Sequence, residues 1–355
     1  MAIGSAGRPR LTGGGLRRWR RGRRRTRILA GEPTLGWLFT LPALAGLLVF
    51  LVVPIIVTAW VSFRQWNGIV SPFDSQPAGL DNYQQLLTEP GVRRGDFAKA
   101  LRNNLYYVLG VVPTQTLLAF VLAVIVNQRF LRGRGFFRTA YYFPSITSSI
   151  AVALMFIFLF QINGLVNALV PFRSVNWLDN PNGLIHLLLG LVGVRDAPGW
   201  LAGAQVMDLS LWEWLSGPSV TMSAIMVLAV WTTTGTMMLI FLAGLQNINP
   251  AVEEAARVDG ATAVQRFWRV TVPLMKPIIF FVVTLGVIGT WQVFDQIFAI
   301  SFGGPQKTTL TPAFLIYTQL FQNSQGGVAA AIAVILLCII IAFTLLQRRL
   351  TREDR

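Results

Sequence analysis

Six apolar runs, each close to the length that crosses a bilayer, decide what this chain can be. They cover approximately residues 35–63, 105–126, 142–160, 220–245, 277–294 and 328–346, and about 20 residues of helix span the ~30 Å of hydrocarbon. No stretch alternates at the strand period, so helices are the spanning elements. Trp37 and Trp60, Tyr106 and Tyr107, Tyr141 and Tyr142, and Trp212 and Trp214 stand at run ends, where amphipathic rings suit the headgroup zone. Hydrophobic residues make up 54% of the chain and charged residues 13%, about half the charge density of a soluble domain. The single cysteine, Cys338, forms no internal disulfide. The sequence describes an all-α integral membrane protein with six helices.

Charge orients the bundle. Ten arginines fall in the first 27 residues, from Arg8 to Arg27, with no acid among them. In a soluble chain such a block would suggest nucleic acid. Ahead of a long apolar run it instead anchors the N-terminus in the cytoplasm and contacts anionic lipid, so no nucleic-acid partner is expected. The imitation cleavage site at Ala43-Leu44-Ala45 lies inside a run too long for a signal peptide, which makes the run an uncleaved first span. Arg129, Arg132, Arg134 and Arg138 follow the second run. Arg257, Arg266, Arg269 and Lys276 follow the fourth, and Arg348, Arg349, Arg352 and Arg355 the sixth. Six spans place all of these with the N-terminus, on the cytoplasmic side. The run at residues 183–194 is too short to cross and is read as interfacial or packed in an external subdomain. The chain then divides into an arginine-rich tail (1–34), a six-span domain (35–347) with an external elaboration (161–219) and a loop at 247–276, and a C-terminal tail (348–355).

Enzyme chemistry finds no footing. His186 is the only histidine, and none of Lys99, Lys276 and Lys307 follows a glycine, so neither a zinc protease motif nor a Walker A loop is present. The loop at 247–276 is the informative one. Asn249-Pro250 is a helix start, Glu253 to Asp259 make two turns, and Gly260 is placed to end them. A second short helix is expected from Thr262 to Thr271, broken by Pro273, with Val264, Phe267, Trp268 and Thr271 on one side. From composition alone this is either a partner-binding helix–turn–helix or an ordinary amphipathic loop.

Glu254-Ala255-Ala256, three residues, Gly260, nine residues, then Val270-Thr271-Val272-Pro273 resembles the EAA motif of binding-protein-dependent ABC importer permeases, with Val270 and Val272 in place of isoleucine and leucine. Gly79-Leu80-Asp81-Asn82-Tyr83 is similar to a segment of sugar-importer permeases. Val293-Phe294-Asp295-Gln296-Ile297, followed by Gly303-Gly304-Pro305 and Thr308, is similar to the subunit type of the larger maltose permease. The resemblance covers roughly residues 35–346. It implies a six-helix type I ABC importer permease bundle for a sugar or related polyol, in a bacterial or archaeal cytoplasmic membrane. It also implies partners: a second permease subunit, two ATPase subunits that bind ATP and Mg, and an extracytoplasmic solute-binding protein. No cofactor is implied on this chain. Glu254, Ala255, Ala256, Asp259, Gly260 and Pro273 are the implied ATPase-coupling residues. Asn163-Gly164-Leu165-Val166-Asn167 and Asn182-Gly183-Leu184-Ile185-His186 make the loop between spans three and four longer than the family pattern.

The solute path is harder to place. Thr233 and Thr234 fall near the middle of the fourth run, and Gln292 and Asp295 in the outer part of the fifth. Asp295 lies about 25 Å along that helix from Ile278, which suits a boundary residue as well as a solute ligand. The threonine hydroxyls serve either solute contact or bonds to their own helix carbonyls. Pro144, Ser145, Thr147, Ser148 and Ser149 in the third run are equally open. The competing class is a self-sufficient secondary carrier or channel, disfavoured because charges inside the spans are nearly absent. A membrane-tethered basic regulator has only the arginine tail in its favour.

Overall fold

The computed structural model describes residues 32–128, 132–169, 175–194 and 196–352. The arginines up to Arg27, Arg129 and Arg355 lie outside the described residues. The described residues fall into two units divided between Ile55 and Ile56. The first candidate span, α1 (Gly36–Val61), is apolar round its circumference, with Phe39 and Phe50 exposed. Before Pro54 the helix widens into a π turn, Leu48–Val52, and the Val53 N–H bonds the Leu48 carbonyl. Proline lacks an N–H and crowds the carbonyl four residues back, and the wider turn relieves both.

In the unit from residue 56, α2 (Asp81–Leu87) caps the chain leaving α1. Asn82 Nδ2 donates to the Ser62 and Arg64 carbonyls at 2.8 and 3.0 Å, and the Tyr83 hydroxyl meets Ser62 Oγ at 2.7 Å. The Gly79–Tyr83 segment is thus a brace for strands β1 (Arg64–Gln65) and β2 (Gln76–Pro77). The helix α3 (Val92–Asn127) begins well before residue 105, where the apolar run starts. Its polar extension is held from both sides. Arg94 pairs with Asp208, Nε to Oδ2 at 2.8 Å, and the Tyr106 hydroxyl donates to the Trp214 carbonyl at 2.6 Å. Asn103 Nδ2 donates to the Lys307 and Leu310 carbonyls at 2.9 and 3.0 Å.

The third run is not one straight helix. It forms α4 (Arg134–Ile146) and α5 (Ser149–Phe160), bent by 98° at the intervening Thr147 and Ser148. Pro144 weakens α4 from within, Thr147 Oγ1 bonds back to the Phe143 carbonyl at 3.0 Å, and the Thr147 backbone is extended. The elaboration that follows contains α6 (Leu184–Leu191) and a hairpin of β3 (Gln205–Val206) and β4 (Leu209–Ser210). Both turn residues, Met207 and Asp208, have positive φ, as a tight two-residue hairpin requires.

Next come α7 (Val220–Gln246), α8 (Pro250–Val258), α9 (Ala263–Trp291), α10 (Asp295–Ile300) and α11 (Gly326–Arg352). Among the described residues five helices are long and apolar enough to cross a membrane, or six if the bent pair counts as one span. Pro273 does not break the loop helix, contrary to the sequence expectation. A π turn, Phe267–Thr271, precedes it, the Val272 N–H reaches the Phe267 carbonyl, and α9 runs on through the proline.

The central packing is α3 against α7, with buried Ala119, Ala123, Met238 and Phe241 in one cluster and Tyr107, Val111, Ile225 and Ala229 in another. Lipid tails are as apolar as these side chains, so close packing and not water exclusion holds such helices together. Gly235 shows how close. A Cβ there would lie 2.0 Å from the Tyr141 carbonyl oxygen of α4. Ser145 Oγ donates to the Thr232 carbonyl at 2.6 Å across the same contact.

Candidate functional site

Two adjoining hollows open between α3, α5, α7, α9 and the start of α10. Their volumes are about 260 and 310 Å³, and they share Ser149, Thr233, Met237 and Gln296. Three of the four sequence-selected path residues, Thr233, Gln292 and Asp295, line the first hollow. Thr234 does not: it is buried and its hydroxyl bonds the Val230 carbonyl. The 98° break supplies Pro144, Ser145, Thr147 and Ser149 to the second hollow. Irregular backbone at membrane depth is tolerated where it lines a cavity, which explains why the hydroxyls cluster there.

Gln292 and Asp295 flank the end of α9 and are exposed. The helix stops at Trp291, and Asp295 occupies the first turn of the separate helix α10, where a carboxylate suits the dipole. Sequence reasoning does not select Gln115, Tyr107 or Gln296, yet they form the wall. The Tyr107 hydroxyl donates to Gln296 Oε1 at 2.7 Å. Gln115 is fully buried, accepts the Thr233 hydroxyl at Oε1, and leaves Nε2 without a partner among the described residues. The signal was available: an amide in an apolar span, in Pro113-Thr114-Gln115-Thr116, is costly unless something answers it. Among the described residues the lining contains one carboxylate, Asp295, and no cation.

At the other end of α7, α8 forms from the residues chosen for it. Asn249 Oδ1 accepts from the Ala251 N–H at 3.0 Å, and Pro250 takes the first helical position. Gly260, at φ +76°, ends the helix in a Schellman motif. The Gly260 N–H bonds the Arg257 carbonyl at 3.1 Å and the Ala261 N–H the Ala256 carbonyl at 3.0 Å. Thr262 restarts the chain with a capping box to Gln265. A side chain at Gly260 would meet nothing within 4 Å, so the glycine is there for its backbone alone. Val258 is 87% exposed, and Val264 and Trp268 are also exposed. Glu253 and Arg257 pair loosely at 3.9 Å. Among the described residues Glu254, exposed beside them, has no partner. Glu253, Glu254 and Arg257 border a hollow of about 590 Å³ with Asn127, Gln128 and Gln246. Ala255 and Asp259 are exposed and Ala256 half-buried, so the face is small side chains flanked by carboxylates. Pro273 lies inside α9, away from this face in sequence.

The sequence pattern of the family described as binding-protein-dependent transport system inner membrane component matches residues 115–353. The chain belongs to that family. It is a transport permease, the membrane component of an ATP-driven importer, and not an enzyme. Curated members of the family are similar over nearly their whole length. The probable ABC transporter permease protein YesP of Bacillus subtilis is 31% identical, over 91% of this chain and 92% of that one. The multiple sugar-binding transport system permease protein MsmF of Streptococcus mutans is 30% identical, over 90% and 95%. The lactose transport system permease protein LacF of Rhizobium radiobacter is also 30% identical, over 90% and 95%. Among solved structures, a chain of a bacterial ABC transporter involved in the import of alginate superposes with a TM-score of 0.67 at 21% identity, covering 90% of this chain and 96% of that one. That likeness is one of fold. A self-sufficient carrier has no support in this family.

Proposed function

We propose that this permease carries a neutral sugar or related polyol, that the paired hollows are its half of the translocation path, and that α8 is the seat of a separate ATPase. The observation that carries the solute class is the lining: hydroxyls and amides from Thr233, Gln292, Gln296 and Ser149, with the single carboxylate Asp295 and no cation among the described residues. Many uncharged donors and acceptors match a polyhydroxylated solute, and the sugar-named relatives support the same class. The hollows are small and open, which fits a path completed by a second permease subunit. Two ATPase subunits holding ATP and Mg²⁺, and a solute-binding protein, complete the importer.

In this reading both termini, residues 132–138 and α8 face the cytoplasm of a bacterial or archaeal cell. A short helix joined to α7 at one end and α9 at the other moves with both, which is what coupling requires. Glu254, without a partner among the described residues, meets a basic group of the ATPase. Proteoliposomes holding this chain with its companion permease and ATPase test the reading. Uptake of labelled disaccharide is expected only with internal ATP and external binding protein. Uptake by this chain alone, driven by an ion gradient, would overturn it.

A further inference from the structure

A third cavity, of about 660 Å³, lies where the extension of α3 meets the 161–219 elaboration and the loop after α10. Its walls include Lys99, Arg102, Asn182, His186, Gln306 and Thr308. Arg102 is 8% exposed, and the oxygens it bonds are neutral: Glu213 O at 3.0 Å from Nη1, and Asn103 Oδ1 at 3.3 and 3.0 Å from Nε and Nη2. Three of the five guanidinium donors are thereby used. Neither Arg102 nor Lys99 has an ion pair among the described residues. The one acid on the wall, Glu213, is committed to its capping box, with Oε2 accepting from Ser210 N and Oγ at 2.8 and 3.0 Å. A buried cation without a carboxylate partner is costly, and the cavity beside it is where a partner fits.

The two cavity systems differ in charge. Among the described residues the inner hollows hold Asp295 and no cation, whereas this one holds two cations, Lys99 and Arg102, against the single acid Glu213. An anionic solute bound here would next meet a carboxylate and no counter-charge, so the occupant does not travel inward. Arg102 stands about 38 Å along α3 from Asn127, which borders the α8 hollow. On the reading proposed above, that distance puts the cavity on the extracytoplasmic face, where the solute-binding protein arrives. We infer that this cavity takes an aspartate or glutamate side chain of the solute-binding protein, with Arg102 and Lys99 as its counter-charges. The inference rests on the importer reading and adds a docking point to it.

The assembled importer in lipid nanodiscs, titrated with its solute-binding protein while ATP hydrolysis is followed, tests this. Arg102→Gln and Lys99→Gln are each expected to leave basal hydrolysis unchanged. Arg102→Gln should raise the binding-protein concentration for half-maximal stimulation about thirtyfold or more. Lys99→Gln should raise it less, and added salt should weaken docking to the unmodified importer more than to either variant. Lys99, half-buried and unpaired, guards against a misfolding explanation of Arg102→Gln. Unchanged half-maximal concentrations in both variants overturn the inference while leaving the importer reading intact. So does competition by D-glucuronate combined with undiminished docking of the variants, which would assign the cavity to a free sugar acid. An unmodified importer that the binding protein fails to stimulate overturns both.

Discussion

Gln115 carries an amide whose two ends meet different fates: Oε1 accepts from Thr233, while Nε2 is buried with nothing to donate to. An unanswered buried donor costs about 1–3 kcal/mol, so Gln115→Leu is expected to keep or raise thermal stability. If Nε2 is held in reserve for solute, the same substitution should raise the half-saturating solute concentration about three- to tenfold. Paired melting and uptake curves check this, and a destabilised variant with normal uptake contradicts it. Thr233 and Gln115 also show where the sequence runs out. Periodicity locates a hydroxyl near mid-span, but which oxygen it bonds depends on the neighbour that α3 brings up. Thr232 and Thr233 both reach helix carbonyls of α7, so the back-bonding reading and the cavity reading hold together for Thr233.

At the scale of elements, the α8 turn was the most legible part, because its signals are local. Asn249, Pro250, Gly260 and Thr262 each do what their side chains or backbone permit without help from afar. Spans were legible for a similar reason, since length and apolarity suffice to name them. The bend between α4 and α5 was not, although Pro144 and the serines marked the place, because local signals mark a break without its 98° angle, and the close approach of α4 to α7 at Gly235 is a contact between segments distant in sequence. Nor was the passage of α9 through Pro273, where a widened turn absorbs the proline. The long start of α3 was hidden by its polarity; Asp208, Trp214 and Lys307 give that polarity its partners. One consequence is pH dependence. The Arg94 guanidinium, followed by the Gly91 N–H, holds the Asp208 carboxyl below the usual carboxylate range. A depressed folded value adds stability above the unfolded carboxylate range, lost as pH falls through the folded value. The β3–β4 hairpin should therefore loosen only under acid, seen as faster hydrogen exchange after correction for intrinsic rates. Asp208→Asn should loosen it at neutral pH and remove the acid step. His186 stacks on Trp212 at 4.2 Å in the same elaboration; burial pushes its pKa below the ordinary imidazole value, while the Nε2 hydrogen bond to the Trp212 carbonyl at 3.0 Å acts against that shift.

For the whole molecule the chain is a permease whose two ends have different tasks, and its topology decides which task belongs to which side. In a Cys338→Ser background, Ser324→Cys is expected to react with an impermeant thiol reagent from outside, and Thr262→Cys only after permeabilisation. Both positions are exposed. Reverse accessibility would invert the assignment of α8 to the cytoplasm. The central claim is that α8 passes the ATPase cycle to α7 and α9 through Glu254 and the Gly260 turn. A β-branched side chain at φ +76° costs about 1–2 kcal/mol, and loss of a buried charge partner about 2–5 kcal/mol. The most direct measurement is the ratio of solute imported to ATP hydrolysed by the reconstituted importer carrying Glu254→Ala or Gly260→Val, with insertion and assembly of each variant verified first. The account predicts that the ratio collapses, with hydrolysis idling or the ATPase bound weakly. Assembled variants that transport at the unmodified ratio and rate would contradict it.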